Sequence, residues 1–266
     1  MKVLVIGAGN MGLTYAMAMA QSGILNGDPL CVMDTSPERL KLLEGNPSFR
    51  TFDQIEKCIP LADVVLIAVK PYHAEALFGS VKNLVRQDQV FVSLMAGVSI
   101  RSIQHGLGVT KVIRTMPNLP ALVRKGITSY TASEQVEKEE LELVKSLLGT
   151  TGIAFEVDTE ENVDASTGIS GSGPAYVFYF MESMLEAAED MGFSKEESDM
   201  LVRQTFEGAI ELYNQNELTP GEWMDRVASR GGTTRAALDS MENNGVKDSI
   251  KQAAFAAFHR AVEIGG

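Results

Sequence analysis

Cysteine and histidine are both scarce: the chain has 2 Cys, Cys31 and Cys58, and 3 His in 266 residues. Neither cysteine sits in a C-x-x-C spacing or beside a histidine, so a disulfide framework and a metal site have no basis, and a reducing cytoplasm is the expected setting. Positive charge is also short. Lys and Arg total 23 against 35 Asp and Glu, a formal charge of −12, which leaves no electrostatic footprint for nucleic acid or an anionic membrane surface. No run approaches the roughly 20 apolar residues that a membrane span needs. The one leader-like stretch, Lys2 to Ala20, is interrupted by Gly7, Gly9, Asn10 and Gly12, so the chain is expected to be soluble. Internal repeats, low-complexity tracts and long linkers are missing as well.

What is present is ordinary globular composition, 45% hydrophobic and 22% charged, distributed unevenly. Residues 1–157 hold 15 basic and 15 acidic residues, whereas 158–266 hold 8 and 20. In the first half, short Val- and Ile-rich runs alternate with segments of helical period, the pattern of a parallel sheet with helices on its faces. The runs are Val3–Ile6, Leu30–Met33, Arg50–Phe52, Val64–Val69, Val90–Leu94, Val112–Arg114, Ile127–Tyr130 and Ile153–Val157. Ser133 is the expected N-cap of the helix that follows the seventh run. After Asp158 the periodicity is helical over Pro174–Met191, Lys195–Asn214, Thr234–Glu242 and Ser249–Glu263. The expected organisation is therefore an α/β domain over 1–157 and an all-α domain over 158–266.

The first run leads into Gly7-Ala8-Gly9-Asn10-Met11-Gly12, a glycine fingerprint between a strand and a helix. Its physics suits a dinucleotide: Gly7 makes the turn, Gly9 lets backbone approach a pyrophosphate, Gly12 lets helix and strand pack, and the helix start stabilises negative charge. Asp34 follows Gly12 by 22 positions, where a carboxylate would accept hydrogen bonds from the adenosine ribose and favour NADH. Thr35, Ser36 and Arg39 suit the extra phosphate of NADPH, so both cofactors stay open. In open α/β sheets ligands bind beyond the carboxyl ends of the strands. Val69-Lys70-Pro71, Ala96-Gly97 and the segment around Asn118 should thus line the same crevice.

Two small-residue segments precede helices in the second half, Gly168-Ile-Ser-Gly-Ser-Gly-Pro174 and Ser229-Arg-Gly-Gly-Thr-Thr-Arg235. Each is either plain capping or a carboxylate site built from exposed backbone N–H groups. His73, His105 and His259 are expected to be surface or helix residues.

Taken together and in order, the glycine loop, Ala-Val-Lys-Pro at 68–71, Ala-Gly at 96–97, Arg-Thr-Met-Pro-Asn at 114–118, Gly-Ile-Ser-Gly-Ser-Gly-Pro-Ala-Tyr at 168–176 and Gly-Gly-Thr-Thr at 231–234 resemble the pyrroline-5-carboxylate reductase family. The resemblance implies an N-terminal Rossmann-type doubly wound domain and an all-α C-terminal domain that forms a homodimer or a higher oligomer. It also implies reduction of a cyclic imine carboxylate, 1-pyrroline-5-carboxylate, to L-proline with NADPH or NADH. Gly7 to Gly12, Ser36, Lys70 and Ala96 would contact the cofactor. Ser229, Gly232, Thr233 and Thr234 would form the substrate loop, with the Thr234 hydroxyl near the imine nitrogen. Glu160 and Glu217 would lie near the substrate and Arg226 near the cofactor.

Two positions depart from the family pattern: Arg230 stands where proline is usual, and Leu119 where threonine is common, a change expected to concern packing only. The rival readings are a dehydrogenase of similar architecture acting on a hydroxy acid or another imine, and a nucleotide-sensing protein without turnover.

Overall fold

The computed structural model describes residues 1–265. Eight strands form one sheet: β1 (Val3–Ile6), β2 (Leu30–Met33), β3 (Phe49–Phe52), β4 (Val64–Ile67), β5 (Val90–Ser93), β6 (Val112–Met116), β7 (Gly126–Ala132) and β8 (Gly152–Glu156). Their order is β3-β2-β1-β4-β5-β6-β7-β8, with the crossover from β1 to β4 that creates the ligand crevice of doubly wound folds. Five helices accompany them: α1 (Asn10–Ser22), α2 (Pro37–Lys41), α3 (Ala74–Val81), α4 (Ile100–Leu107) and α5 (Lys138–Leu148).

Side-chain alternation builds a core on each face. Leu4, Ile6, Val65 and Ile67 face one cluster with Phe78 and Ile103 of α3 and α4. Val3, Val5, Val64 and Leu66 face another with Tyr15, Met19, Val144 and Leu147 of α1 and α5. Both cysteines lie buried in the first core, and burial pushes the Cys58 thiol up to about 12, so it stays protonated and unreactive at neutral pH.

The hydroxyl of Tyr15, wholly buried, lies 2.7 Å from Thr128 Oγ1 and joins α1 to β7. Tyr15→Phe leaves the buried Thr128 hydroxyl without this partner and is expected to cost ~1–2 kcal/mol, read as a lower midpoint in denaturant unfolding; no shift would mean that another partner takes over.

The sheet is not wholly parallel, because β7 runs antiparallel to β6. Only residues 117–125 connect them, too few for the usual crossover, and a 3₁₀ turn over Leu119–Val123 followed by Arg124 at φ 56° reverses the chain. Ser133 does not cap α5. Its hydroxyl accepts from Val112 N–H and donates to Thr110 O, while Glu137 and Glu140 form the capping box instead.

After β8 every described element is helical: α6 (Glu160–Ser166), α7 (Gly173–Asp190), α8 (Lys195–Asn214), α9 (Pro220–Val227), α10 (Thr233–Asn243) and α11 (Val246–Gly265). The expected glycine loop at 168–173 is not a loop. Thr167–Gly171 form a π-helical turn continuing α6, so its N–H groups are not a free anion cradle, and α7 starts one residue before Pro174. The chain divides into two compact units, Met1–Ser172 with the end of α11 from Ala256, and Gly173–Phe255. In the second unit α7 has no buried residue. Val177, Phe178, Tyr179 and Phe180 on it are exposed. No helix among the described residues is long and apolar enough to cross a membrane.

Candidate functional site

The glycine loop is shaped by its own neighbours. Gly7 has φ 98°, and a Cβ there would lie 3.0 Å from Ala68 O; a Cβ on Gly12 would collide with Gly7 O. Gly9 is different: a Cβ there would meet nothing within 4 Å. Gly9 is also the N-cap of α1 and supplies no side-chain cap, so the first-turn N–H groups of Asn10, Met11 and Gly12 have no intrahelical acceptor. Open space against unsatisfied donors at a helix start fits a pyrophosphate.

The other expected cofactor residues gather at the same edge of the sheet. Val69 and Pro71 are half-buried and Lys70 is exposed, directly after β4 and beside Gly7. Ala96 and Gly97, the latter at φ 77°, follow β5. Asn118 follows β6, and its side chain is already engaged, with Nδ2 donating to Ser170 O and Oδ1 accepting from Ile127 N–H. Asp34 is engaged too: it accepts from Ala8 N–H at 2.6 Å and Ser36 N–H at 2.8 Å and pairs with Arg39 at 3.3 Å. Ser36, not Asp34, caps α2.

A buried ionic cluster, not foreseen from the sequence, lies behind these loops. Arg114 on β6 is 4% exposed and pairs with Glu160 Oε2 at 3.0 Å and with Asp164, both on α6. Glu160 Oε2 also accepts from Ile100 N–H at 2.8 Å. Glu160 thereby links α6 to the middle of β6 and to the start of α4, within the first unit. The signal was an arginine inside a strand of otherwise buried residues, where a charge requires a partner.

The expected substrate loop lies in the second unit. Gly231 has φ 72°, Gly232 N–H donates to Ser229 O at 3.0 Å, and Gly232 is the N-cap of α10 without a side-chain cap. The turn is tight: a Cβ on Gly232 would lie 2.5 Å from Ser229 Oγ. Thr233 and Thr234 are the first two residues of α10, exposed and half-buried, and their N–H groups have no intrahelical acceptor. Arg230 is exposed. Glu217 and Arg226 share a separate open depression between α8 and α9, also lined by Asn214 and Glu222, and Arg226 stacks 5.6 Å over the Trp223 ring. Glu160 belongs to the other unit from these residues. Leu119 is exposed rather than packed, because it opens the 3₁₀ turn. His73, His105 and His259 are all exposed.

A doubly wound sheet with a pyrophosphate-ready glycine loop, followed by a helical half whose helix α7 has no buried residue, defines a two-domain oxidoreductase of the nicotinamide-dinucleotide class. Residues 160–264 match the family described as pyrroline-5-carboxylate reductase dimerisation, and residues 2–97 that described as NADP oxidoreductase coenzyme F420-dependent. The chain is 34% identical to a pyrroline-5-carboxylate reductase of Pseudomonas aeruginosa over 99% of this chain and 96% of that one. Among solved structures, a pyrroline-5-carboxylate reductase of Coxiella burnetii superposes with a TM-score of 0.91 at 31% identity, covering 100% of this chain and 98% of that one. A pyrroline carboxylate reductase of Plasmodium falciparum with NADP bound does so with 0.89 at 28% identity, covering 100% and 98%. The chain belongs to the pyrroline-5-carboxylate reductase family.

Proposed function

We propose that this protein reduces 1-pyrroline-5-carboxylate to L-proline with NADPH or NADH, the last step of proline synthesis. When bound, the reduced nicotinamide supplies a hydride and is itself oxidised; the new C–H bond forms at the imine carbon while the C=N π pair passes to the already protonated nitrogen. Gly9 and the α1 N–H groups would hold the pyrophosphate, and Val69 to Pro71, Ala96, Gly97 and Asn118 would border the dinucleotide. In the helical unit, the N–H groups of Thr233 and Thr234 would hold the substrate carboxylate on a turn shaped by Ser229 and Gly232. The Thr234 hydroxyl would accept from the ring N–H. Glu217 would lie near the substrate; Glu160 would act through its link to Arg114 and Ile100. Orientation and charge complementarity suffice for such a transfer, without a strong acid or base.

The observation supporting this reading is that a member of this family, matched along its full length, has two uncapped helix starts, one on a glycine loop and one on Gly-Gly-Thr-Thr. We further place the protein in the cytoplasm, with no nucleic-acid partner. A second copy would cover the exposed face of α7 in a homodimer or a higher oligomer, and the functional boundary would fall at 157/158. The test is oxidation of NADPH and NADH by the purified protein with 1-pyrroline-5-carboxylate, L-proline being identified as product. Turnover is expected; folded protein that binds nucleotide yet turns over with neither cofactor would redirect the assignment to another imine or a hydroxy acid.

A further inference from the structure

We propose that Arg230 is a carboxylate-capture residue of the substrate turn: its guanidinium adds charge to the site made by the N–H groups of Thr233 and Thr234, and it favours ring ligands that carry a carboxylate. The inference rests on the substrate-loop reading above. Gly232 N–H donates to Ser229 O at 3.0 Å, and Gly231, but not Arg230, has a positive φ, 72°. That is the arrangement of a type II turn with Arg230 at its second position. Proline is favoured at this position, whose N–H takes no part in the turn. The backbone therefore gives no reason for an arginine, and the reason has to lie in its side chain.

Charge supplies that reason. The helical half as a whole repels anions, with 8 basic against 20 acidic residues over 158–266. Three of those 8, Arg226, Arg230 and Arg235, nevertheless fall in one ten-residue stretch around the turn. Two of the three are engaged: Arg235 pairs with Asp225 at 3.5 Å and Asp239 at 4.0 Å, and Arg226 lies 5.6 Å over the Trp223 ring. Arg230 is exposed, and no carboxylate among the described residues pairs with it. Directly after it comes the uncapped start of α10, whose first N–H groups are donors without acceptors. Those N–H groups hold a carboxylate at short range, and a guanidinium on the same turn supplies a full charge and a planar fork of matching shape.

The experiment compares steady-state reduction by the intact protein and by its Arg230→Gln, Arg230→Pro and Arg230→Lys variants near neutral pH, from low to high salt. At low salt Arg230→Gln and Arg230→Pro should each raise KM for 1-pyrroline-5-carboxylate about two- to fivefold, the range of one exposed ion pair. Arg230→Lys keeps the charge and should recover part of that loss, and KM for the dinucleotide should not move. At about 1 M ionic strength, where charges are screened within about 3 Å, all four proteins should converge. As inhibitors, cyclopentanecarboxylate should bind the unsubstituted protein more tightly than cyclopentanecarboxamide, and the gap should narrow in Arg230→Gln. An unchanged KM in Arg230→Gln overturns the inference, as does a rise there that Arg230→Pro does not share, since the turn rather than the charge would then be the cause. A carboxylate that inhibits no better than the carboxamide, or a gap of equal size in Arg230→Gln, overturns it too. Turnover by the unsubstituted protein leaves the substrate reading intact in each of these cases, whereas folded protein without turnover overturns both.

Discussion

Thr234→Ala is expected to lower kcat/KM for 1-pyrroline-5-carboxylate about 10²-fold, with nucleotide affinity unchanged. The magnitude is that of removing one preorganised hydrogen-bonding group from a site where charge is redistributed in the transition state. Thr234 is the second residue of α10, half-buried, on a helix start that nothing in its own turn caps. Its backbone N–H survives the substitution and continues to serve the carboxylate, so the loss is expected mainly in kcat. Thr234→Ser keeps the hydroxyl and should recover most of the rate. Efficiency within threefold of the unsubstituted enzyme in the alanine variant would remove the hydroxyl from the mechanism, leaving only the backbone of α10 as substrate anchor.

The largest expected effect on stability belongs to Arg114→Met, at ~2–4 kcal/mol. Breaking a buried ion pair from one side leaves an uncompensated charge, and here two carboxylates are left, on successive turns of α6. Asp164 is 13% and Glu160 33% exposed, so water relieves part of the penalty and the value stays at the lower end of the usual range. For a unit of this size the midpoint of thermal unfolding should fall by about 5–12 °C. Adding Asp164→Asn to Arg114→Met should regain part of the loss, because the second substitution removes a charge that the first stranded. A fall below about 2 °C in the single variant would show that the cluster contributes little and that the acids find water instead.

The runs of β1, β2, β4 and β5 were legible because strands buried on both faces read as unbroken apolar segments. The direction of β7 was not, since it depends on the reversal at Leu119–Arg124, which a strand pattern does not encode. The short helices α6 and α9 escaped the periodicity, although Thr219-Pro220 with Glu222 carried a capping box that marks α9. Ser133 misled because its hydroxyl had a better tertiary use, holding the start of β6. The site divides along the same line. A glycine loop is a local device and reads directly from residue types, whereas the bonds of Asp34 to Ala8, Asn118 to Ile127 and Glu160 to Ile100 span 9 to 60 residues and exist only once the chain has folded.

In the assembly proposed above, the bare face of α7 would tie folding to association. The helix packs on α8 through Phe180 and Phe206 yet has no buried residue in its own chain, so part of its stabilisation would come from a second copy, and that part would grow with the logarithm of protein concentration. Dilution should therefore loosen the helical half before the nucleotide-binding half, so that a cell making little of this protein would hold a different balance of open and assembled forms from one making much.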